Sequence, residues 1–370
     1  MEITAAVARG AETEFTLEKL TLEGPRAGEV LVKIHSVGLC HSDLVAKAGF
    51  MFIEMPAVLG HEGAGTVVEV GDGVTKVTPG DKVALTFNSC GDCPTCADGF
   101  PSYCHQFVPL NYSGVRVADG KSPLSSSEGP VSALFFGQSS FASHSIANQR
   151  NVVKLPDDAP LDLVGPLGCG VQTGAGAIMN TLAAKQGSSL LVLGGGSVGL
   201  SGVLGGVAQG CTTIIVVEPH ESRRGLAMEL GATHTIDPTA SDEALGDQVR
   251  AILPGGVDNI FDTTGIPAVI EASISGAAPH ASLALVGVPS SPEQGINLNL
   301  MQSMVLGLTV HSVIEGDSNP DEFIPRLAQL HSEGRFPFDK MITKYPFAAI
   351  NEAIEEQHHG KVVKVVLVNE

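Results

Sequence analysis

The run from Ser188 to Glu218 constrains this chain more than any other. Leu190-Leu191-Val192-Leu193 is short, apolar and bounded by turn residues, as in a strand buried on both faces. Gly194-Gly195-Gly196-Ser197-Val198-Gly199 follows in G-x-G-x-x-G spacing, then a helical stretch to about Gln209. A second strand, Ile214–Val217, ends in Glu218, nineteen residues after Gly199. The glycine motif alone is weak; strand, turn, helix, strand and acid in this order form a dinucleotide-binding fingerprint. Gly194, Gly196 and Gly199 let the backbone approach a pyrophosphate, whose charge is met at the helix N-terminus by Ser197 and Val198. Glu218 is expected to take the ribose hydroxyls and repel a 2′-phosphate, favouring NAD over NADP. Arg223 and Arg224 could soften that preference, although each reads first as an exposed helix charge. The run is uncharged between Lys185 and Glu218 and long enough for a membrane span, with Gly202 and Gly206 in GxxxG spacing. The glycines at 194–196 and 199 break it where a strand should turn into a helix, which favours the sheet.

Further units of strand and helix follow, with strands expected at His234–Asp237, Val257–Thr264, Ser282–Val288 and Thr309–Ile314. Six strands with short crossovers predict a doubly wound sheet. Residues 1 to about 85 differ: Glu29–Ile34 and Thr66–Val70 are short, β-branched and bounded by turns, predicting an antiparallel β-rich domain. The tail holds expected helices at Asp321–Glu333 and Ala348–His358 and a strand at Lys361–Leu367, and is expected to return to the first domain. A length of 370 residues fits two domains. The N-terminus has no apolar core of a signal peptide, so a cytoplasmic protein is expected. The net charge of −19, from 40 acidic and 21 basic residues, argues against nucleic acid and anionic membranes as partners.

Six of the seven cysteines fall in patterns that suit metals in a reducing compartment; Cys211 is left over as an inert thiol. Cys90, Cys93, Cys96 and Cys104 have C-x2-C-x2-C-x7-C spacing. Four thiolates on one short lobe make a closed tetrahedral site, which is structural zinc; an iron–sulfur cluster is a remote rival. Cys40 and His61 offer a thiolate and an imidazole, and Cys169 can add a second thiolate. Two sulfurs and one nitrogen leave a tetrahedral zinc with an open position, as catalysis requires.

Together these motifs resemble the zinc-dependent medium-chain alcohol dehydrogenases over essentially the whole chain, and within them the aryl-alcohol (benzyl-alcohol) type. The resemblance is carried by Phe87–Gly91, Phe135–Phe141, Leu167–Gly176, Val313–Asp317 and Gly334–Lys340. It implies an α/β chain: a GroES-like β-rich catalytic domain over 1–170 and 315–370, with the zinc lobe at about 88–107, and a six-stranded Rossmann cofactor domain over 171–314. It implies two zinc ions and NAD, with Cys40, His61 and Cys169 on the catalytic zinc. Glu62 stands beside that metal, Asp43 orients the ligand histidine, and Ser42 accepts the alcohol proton. His41 and Lys364 match positions that contact the pyrophosphate. Thr173, Thr264, Val286 and Val288 belong to the cofactor set with Arg223, and Ile314 to the substrate end with Phe87. Phe135 and Phe136, which read as core from the residues alone, match pocket walls. One departure is Val45, where liver-type enzymes carry the histidine that ends the proton relay.

The implied reaction is reversible oxidation of an aromatic primary alcohol to its aldehyde by hydride transfer from a zinc-bound alkoxide. Allylic terpene alcohols such as geraniol are the alternative substrates; a glutathione-adduct (formaldehyde) branch and a non-catalytic relative are the remaining readings. Pairing into a homodimer or homotetramer through the cofactor domains is also implied, with the strand near 309–314 as the edge.

Overall fold

The computed structural model describes residues 1–291 and 293–369. It divides into two compact units, one of Met1–Cys169, Asn319–Leu330 and the chain from Ile342, the other of Gly170–Ser318 and His331–Met341. The expected C-terminal return is thus interrupted, since His331–Met341 lies with the second unit.

The first unit begins with β1 (Glu2–Ala8), β2 (Thr16–Leu22), β3 (Glu29–Gly38), β4 (Ala57–Val58), β5 (Gly63–Val70) and β6 (Lys82–Leu85). After the cysteine lobe come β7 (Leu124–Ser126), β8 (Gly129–Val131), β9 (His144–Asn148) and β10 (Val152–Lys154). One antiparallel sheet has the order β4-β1-β2-β7-β8. The second is organised on β3, the longest strand, which is antiparallel to both β5 and β9. Val30, Val32, Ile34 and Val37 of β3 are buried in a core shared with Ile3, Leu20, Leu59 and Phe141. β3 stops at Gly38, and helix α1 (His41–Lys47) starts three residues later, so Cys40 and Asp43 sit at a strand-to-helix turn.

In the second unit, β11 (Ser189–Leu193), β12 (Thr213–Val217), β13 (His234–Ile236), β14 (Val257–Asp262), β15 (Ala277–Leu285) and β16 (Thr309–Ser312) form a six-stranded sheet. Its order is β13-β12-β11-β14-β15-β16, and every pairing is parallel. That is the doubly wound Rossmann arrangement. Leu190–Leu193 are fully buried, as a parallel strand covered on both faces must be. Helix α2 (Gly170–Gly176) packs on α3 (Ser197–Gln209), which follows the glycine turn. β14 and β15 end earlier than the sequence suggested, so Thr264, Val286 and Val288 lie in loops at the carboxyl ends of the strands, where such sheets bind ligands. β16 is an edge, and the preceding helix α4 (Leu300–Leu306) exposes Leu300, Met301, Met304 and Val305. The chain re-enters the first unit through β17 (Ile342–Pro346) and β18 (Lys364–Val368); β18 runs antiparallel to the end of β3. Among the described residues no helix is long and apolar enough to cross a membrane, and the uncharged run at 185–218 is strand, turn and helix.

Candidate active site

The first site is built where β3 gives way to α1. Cys40 caps the helix, and Asp43, buried in its first turn, reaches back so that its Oδ2 accepts from the Cys40 N–H at 3.0 Å. Asp43 Oδ1 meets His61 Nδ1 at 2.8 Å and accepts from the Gly60 N–H at 3.0 Å. Gly60 has φ +87°, and a Cβ there would lie 2.5 Å from the backbone nitrogen of Phe141, so only glycine permits this approach. With Nδ1 taken by Asp43, the buried His61 Nε2 has no hydrogen-bond partner among the described residues. One ligating atom from each of Cys40, His61, Glu62 and Cys169 lies within 4.8 Å of the others. Cys169 is buried at the end of the turn Gly165–Gly168, which Thr86 holds by donating from Oγ1 to the Gly168 carbonyl at 2.7 Å.

The electrostatics suit a cation. A hydrogen bond from Cys169, with His61 beside it, holds the Cys40 thiol well below the usual thiol range despite burial. Burial disfavours a charged His61, yet Asp43 and Cys40 hold the ring well above its ordinary value. A metal at Nε2 would take the place of that proton. An orphaned imidazole nitrogen between two thiols, its other nitrogen fixed by a carboxylate, fits zinc. Glu62 is pushed up by burial, with Lys364 opposing. Lys364 is itself buried, with Nζ 2.6 Å from Glu62 Oε2 and donating to the Leu39 carbonyl at 3.0 Å. This differs from the pyrophosphate contact expected of it: its charge is used inside the first unit. His41 is exposed and Ser42 half-buried on the first turn of α1.

The aromatic residues are placed differently from the pocket walls expected. Phe136 lies nearly flat on His61, with ring centres 4.3 Å apart at 19°, and Phe135 meets the same ring edge-on at 5.4 Å. Both are buried, and Phe107, Tyr112 and Phe87 continue the cluster. The residue-level reading as core describes this pair. Phe107 and Tyr112 carried no signal in the sequence beyond their aromatic type.

In the lobe, the four cysteines again bring one ligating atom each within 4.8 Å of the others. Cys93 caps the one-turn helix Pro94–Ala97, and Cys104 Sγ accepts from the Cys90 and Gln106 N–H groups at 3.2 and 3.3 Å. Hydrogen bonding with the Thr95 hydroxyl, and from the His105 and Cys96 N–H groups, lowers the Cys93 thiol to about 5. Four sulfurs with no oxygen or nitrogen donor fit a closed structural zinc site. Cys211 is half-buried, and burial pushes its thiol up.

The second unit carries a cavity of about 620 Å³ at the glycine turn. Gly194, Gly196, Ser197, Val198 and Gly199 line it with Glu218, Arg223 and Thr264. A Cβ on Gly199 would lie 1.9 Å from the Gly194 carbonyl oxygen, which explains the motif's last glycine. Glu218 is buried; its Oε2 accepts from the Gly195 N–H at 2.8 Å and its Oε1 from the His220 N–H at 2.9 Å. Neither arginine is the exposed charge expected. Arg223 is half-buried with an orphaned Nε, and Arg224 pairs with Asp237 at 3.0 Å. Thr173, Val286 and Val288 are not among the lining residues; Thr173 lies on α2 beside Glu315, and Val288 and Ile314 are exposed.

Residues 26–157 match the model of the alcohol dehydrogenase GroES-like domain, and residues 197–332 that of the zinc-binding dehydrogenases. The chain belongs to the zinc-dependent medium-chain alcohol dehydrogenase family, whose members use zinc and NAD(P). It is 45% identical over 364 residues to a geraniol dehydrogenase of Castellaniella defragrans, covering 98% of this chain and 97% of that protein. Among solved structures, an alcohol dehydrogenase zinc-binding domain protein from Burkholderia ambifaria superposes with a TM-score of 0.97 at 44% identity, covering 100% of this chain and 99% of the other. The benzyl alcohol dehydrogenase of Acinetobacter calcoaceticus does so with a TM-score of 0.96 at 36% identity over 100% of both chains. The family expectation therefore stands, and the aryl-alcohol subdivision within it does not follow from these matches.

Proposed function

We propose that this protein catalyses the reversible, NAD-linked oxidation of an apolar primary alcohol to its aldehyde, with allylic terpene alcohols of the geraniol type as substrates. The observation that carries the reading is the orphaned His61 Nε2 between Cys40 and Cys169. The substrate class is supported by the likeness to the Castellaniella geraniol dehydrogenase. Benzyl-type alcohols are the second reading, favoured by the likeness to the Acinetobacter enzyme. The first unit then serves as catalytic domain and the second as cofactor domain.

Cys40, His61 and Cys169 would hold the catalytic zinc, with Glu62 beside it, and the lobe cysteines a structural one. Bound there, zinc supplies a Lewis acid that makes an alcohol hydroxyl acidic. Asp43 fixes the imidazole so that Nε2 faces the metal. Ser42 accepts the hydroxyl proton, and Val45 offers no titratable group to pass it on. The backbone of Gly194–Gly199 and the start of α3 receive the cofactor pyrophosphate, and Glu218 its ribose. NAD supplies the hydride acceptor. A homodimer joined along β16 and the exposed apolar face of α4 is consistent with the edge position of that strand. A cytoplasmic setting suits the free thiols of both metal sites.

The test is zinc content together with initial rates for geraniol, benzyl alcohol and ethanol, each with NAD and NADP. Two zinc ions per chain and fastest turnover of geraniol with NAD are expected. A clear preference for benzyl alcohol moves the assignment to the second reading. No turnover of any alcohol by fully zinc-loaded protein overturns both.

A further inference from the structure

The run Phe135–Phe141 contributes more to the metal site than its two aromatic rings. Leu134, Phe136 and Ser139 all have positive φ, of 59°, 50° and 60°, a conformation L-residues avoid unless their surroundings enforce it. The enforcement is visible. Ser139 Oγ accepts from the Phe135 N–H at 2.9 Å and donates to the Val58 carbonyl at 2.6 Å. The Ser140 and Phe141 N–H groups donate to the Gly60 and Leu59 carbonyls at 2.7 and 2.9 Å. The loop is therefore laced onto the segment that leads into His61.

Gln138 lies at the centre of this lacing and is buried. Its Nε2 donates to the His61 carbonyl at 2.9 Å and to the Thr86 carbonyl at 3.1 Å. Its Oε1 accepts from the Gly63 N–H at 3.1 Å and from Ser140 Oγ at 2.6 Å. All the donors and acceptors of the amide have work in one orientation only. Turned over, it would set its NH2 against the Gly63 N–H and its oxygen against two carbonyls. The amide thus grips the chain on both sides of Glu62. Through Thr86, whose hydroxyl holds the Gly168 carbonyl, it also reaches the turn that presents Cys169.

We infer that Gln138 is a positioning residue for the catalytic metal: it fixes the main chain of His61 and Glu62 while Asp43 fixes the His61 side chain. The inference rests on the reading that Cys40, His61 and Cys169 hold zinc. Asp43 and Gln138 act from separate segments, α1 and the loop before β9, on the same four-residue stretch.

The test uses full-length protein with Gln138→Met, which removes all four bonds at similar volume, and Ser140→Ala, which removes one and leaves the fold least disturbed. Both are loaded with zinc, or with cobalt(II) as a spectroscopic probe, and challenged with a chelator. The lobe cysteines in the same unit are the internal control. Gln138→Met should weaken the catalytic metal about 10- to 100-fold, the usual effect of losing a partner that orients a ligand, while the lobe keeps its metal. The cobalt(II) d–d bands of the catalytic site should shift, and Ser140→Ala should move both readouts less in the same direction. A lower melting temperature with unchanged bands and unchanged chelator resistance would show a merely structural glutamine and overturn the inference. If Gln138→Met fails to fold, Ser140→Ala decides by the same bands. Wild-type protein that holds metal only in the lobe would instead overturn the zinc reading on which the inference stands.

Discussion

If Glu218 receives the cofactor ribose as proposed, the geometry around it predicts the size of the preference for NAD. The carboxylate is buried at the floor of the cavity, with both oxygens held by backbone N–H groups of Gly195 and His220, so it cannot swing aside. A 2′-phosphate seated at ~4–6 Å from it would meet a repulsion of roughly 3–4 kcal/mol per pair of unit charges at an effective dielectric of ~20. Water in the cavity and Arg223, with its orphaned Nε, both reduce that figure. A net ~2–3 kcal/mol remains, which corresponds to a preference for NAD of roughly 30- to 150-fold. Glu218→Gln keeps the shape and removes the charge, so NADP should gain and the ratio of kcat/KM values should fall by about tenfold or more. NAD should also weaken, because glutamine offers one acceptor where two backbone N–H groups need one each. Adding Arg223→Ala to Glu218→Gln should take back the NADP gain, since the arginine is then the group that meets the phosphate. The assay is kcat/KM for each cofactor with one alcohol at saturation, backed by fluorescence titration of the reduced cofactors. Wild-type protein that uses both cofactors equally, or a Glu218→Gln variant whose ratio moves less than about twofold, would show that this carboxylate does not set the preference.

Two further outcomes test the second unit. Gly176→Ala in α2 sets helix propensity against packing: alanine is better in a helix by about 1 kcal/mol, but its Cβ would lie 2.4 Å from the Gly316 carbonyl oxygen and 2.8 Å from Gly316 Cα. That backbone belongs to a turn with Glu315, Gly316 and Asp317 all at positive φ, which cannot yield, so the variant should melt at lower temperature; a raised Tm would show the turn to be compliant. Burial raises Asp262 above its usual 3.8, against hydrogen bonds from Thr264, Gly265 and Gly287. A raised carboxyl stabilises the fold fully below the unfolded value and loses that contribution as pH rises through the folded one. The Tm of wild type minus that of Asp262→Asn should therefore shrink as pH rises from below about 4; a difference that grows with pH would reverse the assignment.

The sheet of the second unit was legible because its constraints are local. An uncharged strand, a turn that only glycines can make and an acid at the next strand end fix a βαβ unit within thirty residues. Strand ends were less legible. β15 begins at Ala277, five residues before the expected start, because Ala277-Ala278-Pro279-His280 carries little β-branched signal and the strand is imposed by pairing with β14. The tail's return to β3 was readable only as a remainder, a strand with no place in the six-stranded sheet, and nothing in the sequence marks His331–Met341 as belonging elsewhere.

The clustered thiols and imidazole were legible for a different reason: such groups are few, and their chemistry narrows what they can do. What holds them was not. Lys364 reads as a cation available to a phosphate until its partners are known to be Glu62 and the Leu39 carbonyl, the latter 325 positions of chain away from the lysine. Phe136 reads as core or as pocket wall, and its ring in fact lies against that of His61. Gln138 sits in a run of serines with no periodicity, and its meaning comes from partners at 61 and 63, at 86, and at 140 in its own loop. Charged and metal-binding groups announce a site because each carries its chemistry alone. An amide or a ring acts only through what it touches, so the neutral half of the same site becomes readable when the fold is in hand. On this argument the half that Asp43 supplies and the half that Gln138 supplies are of one kind. Each commits a buried polar group to the geometry of His61, and the first was visible beforehand only because the family resemblance assigns a carboxylate to that position.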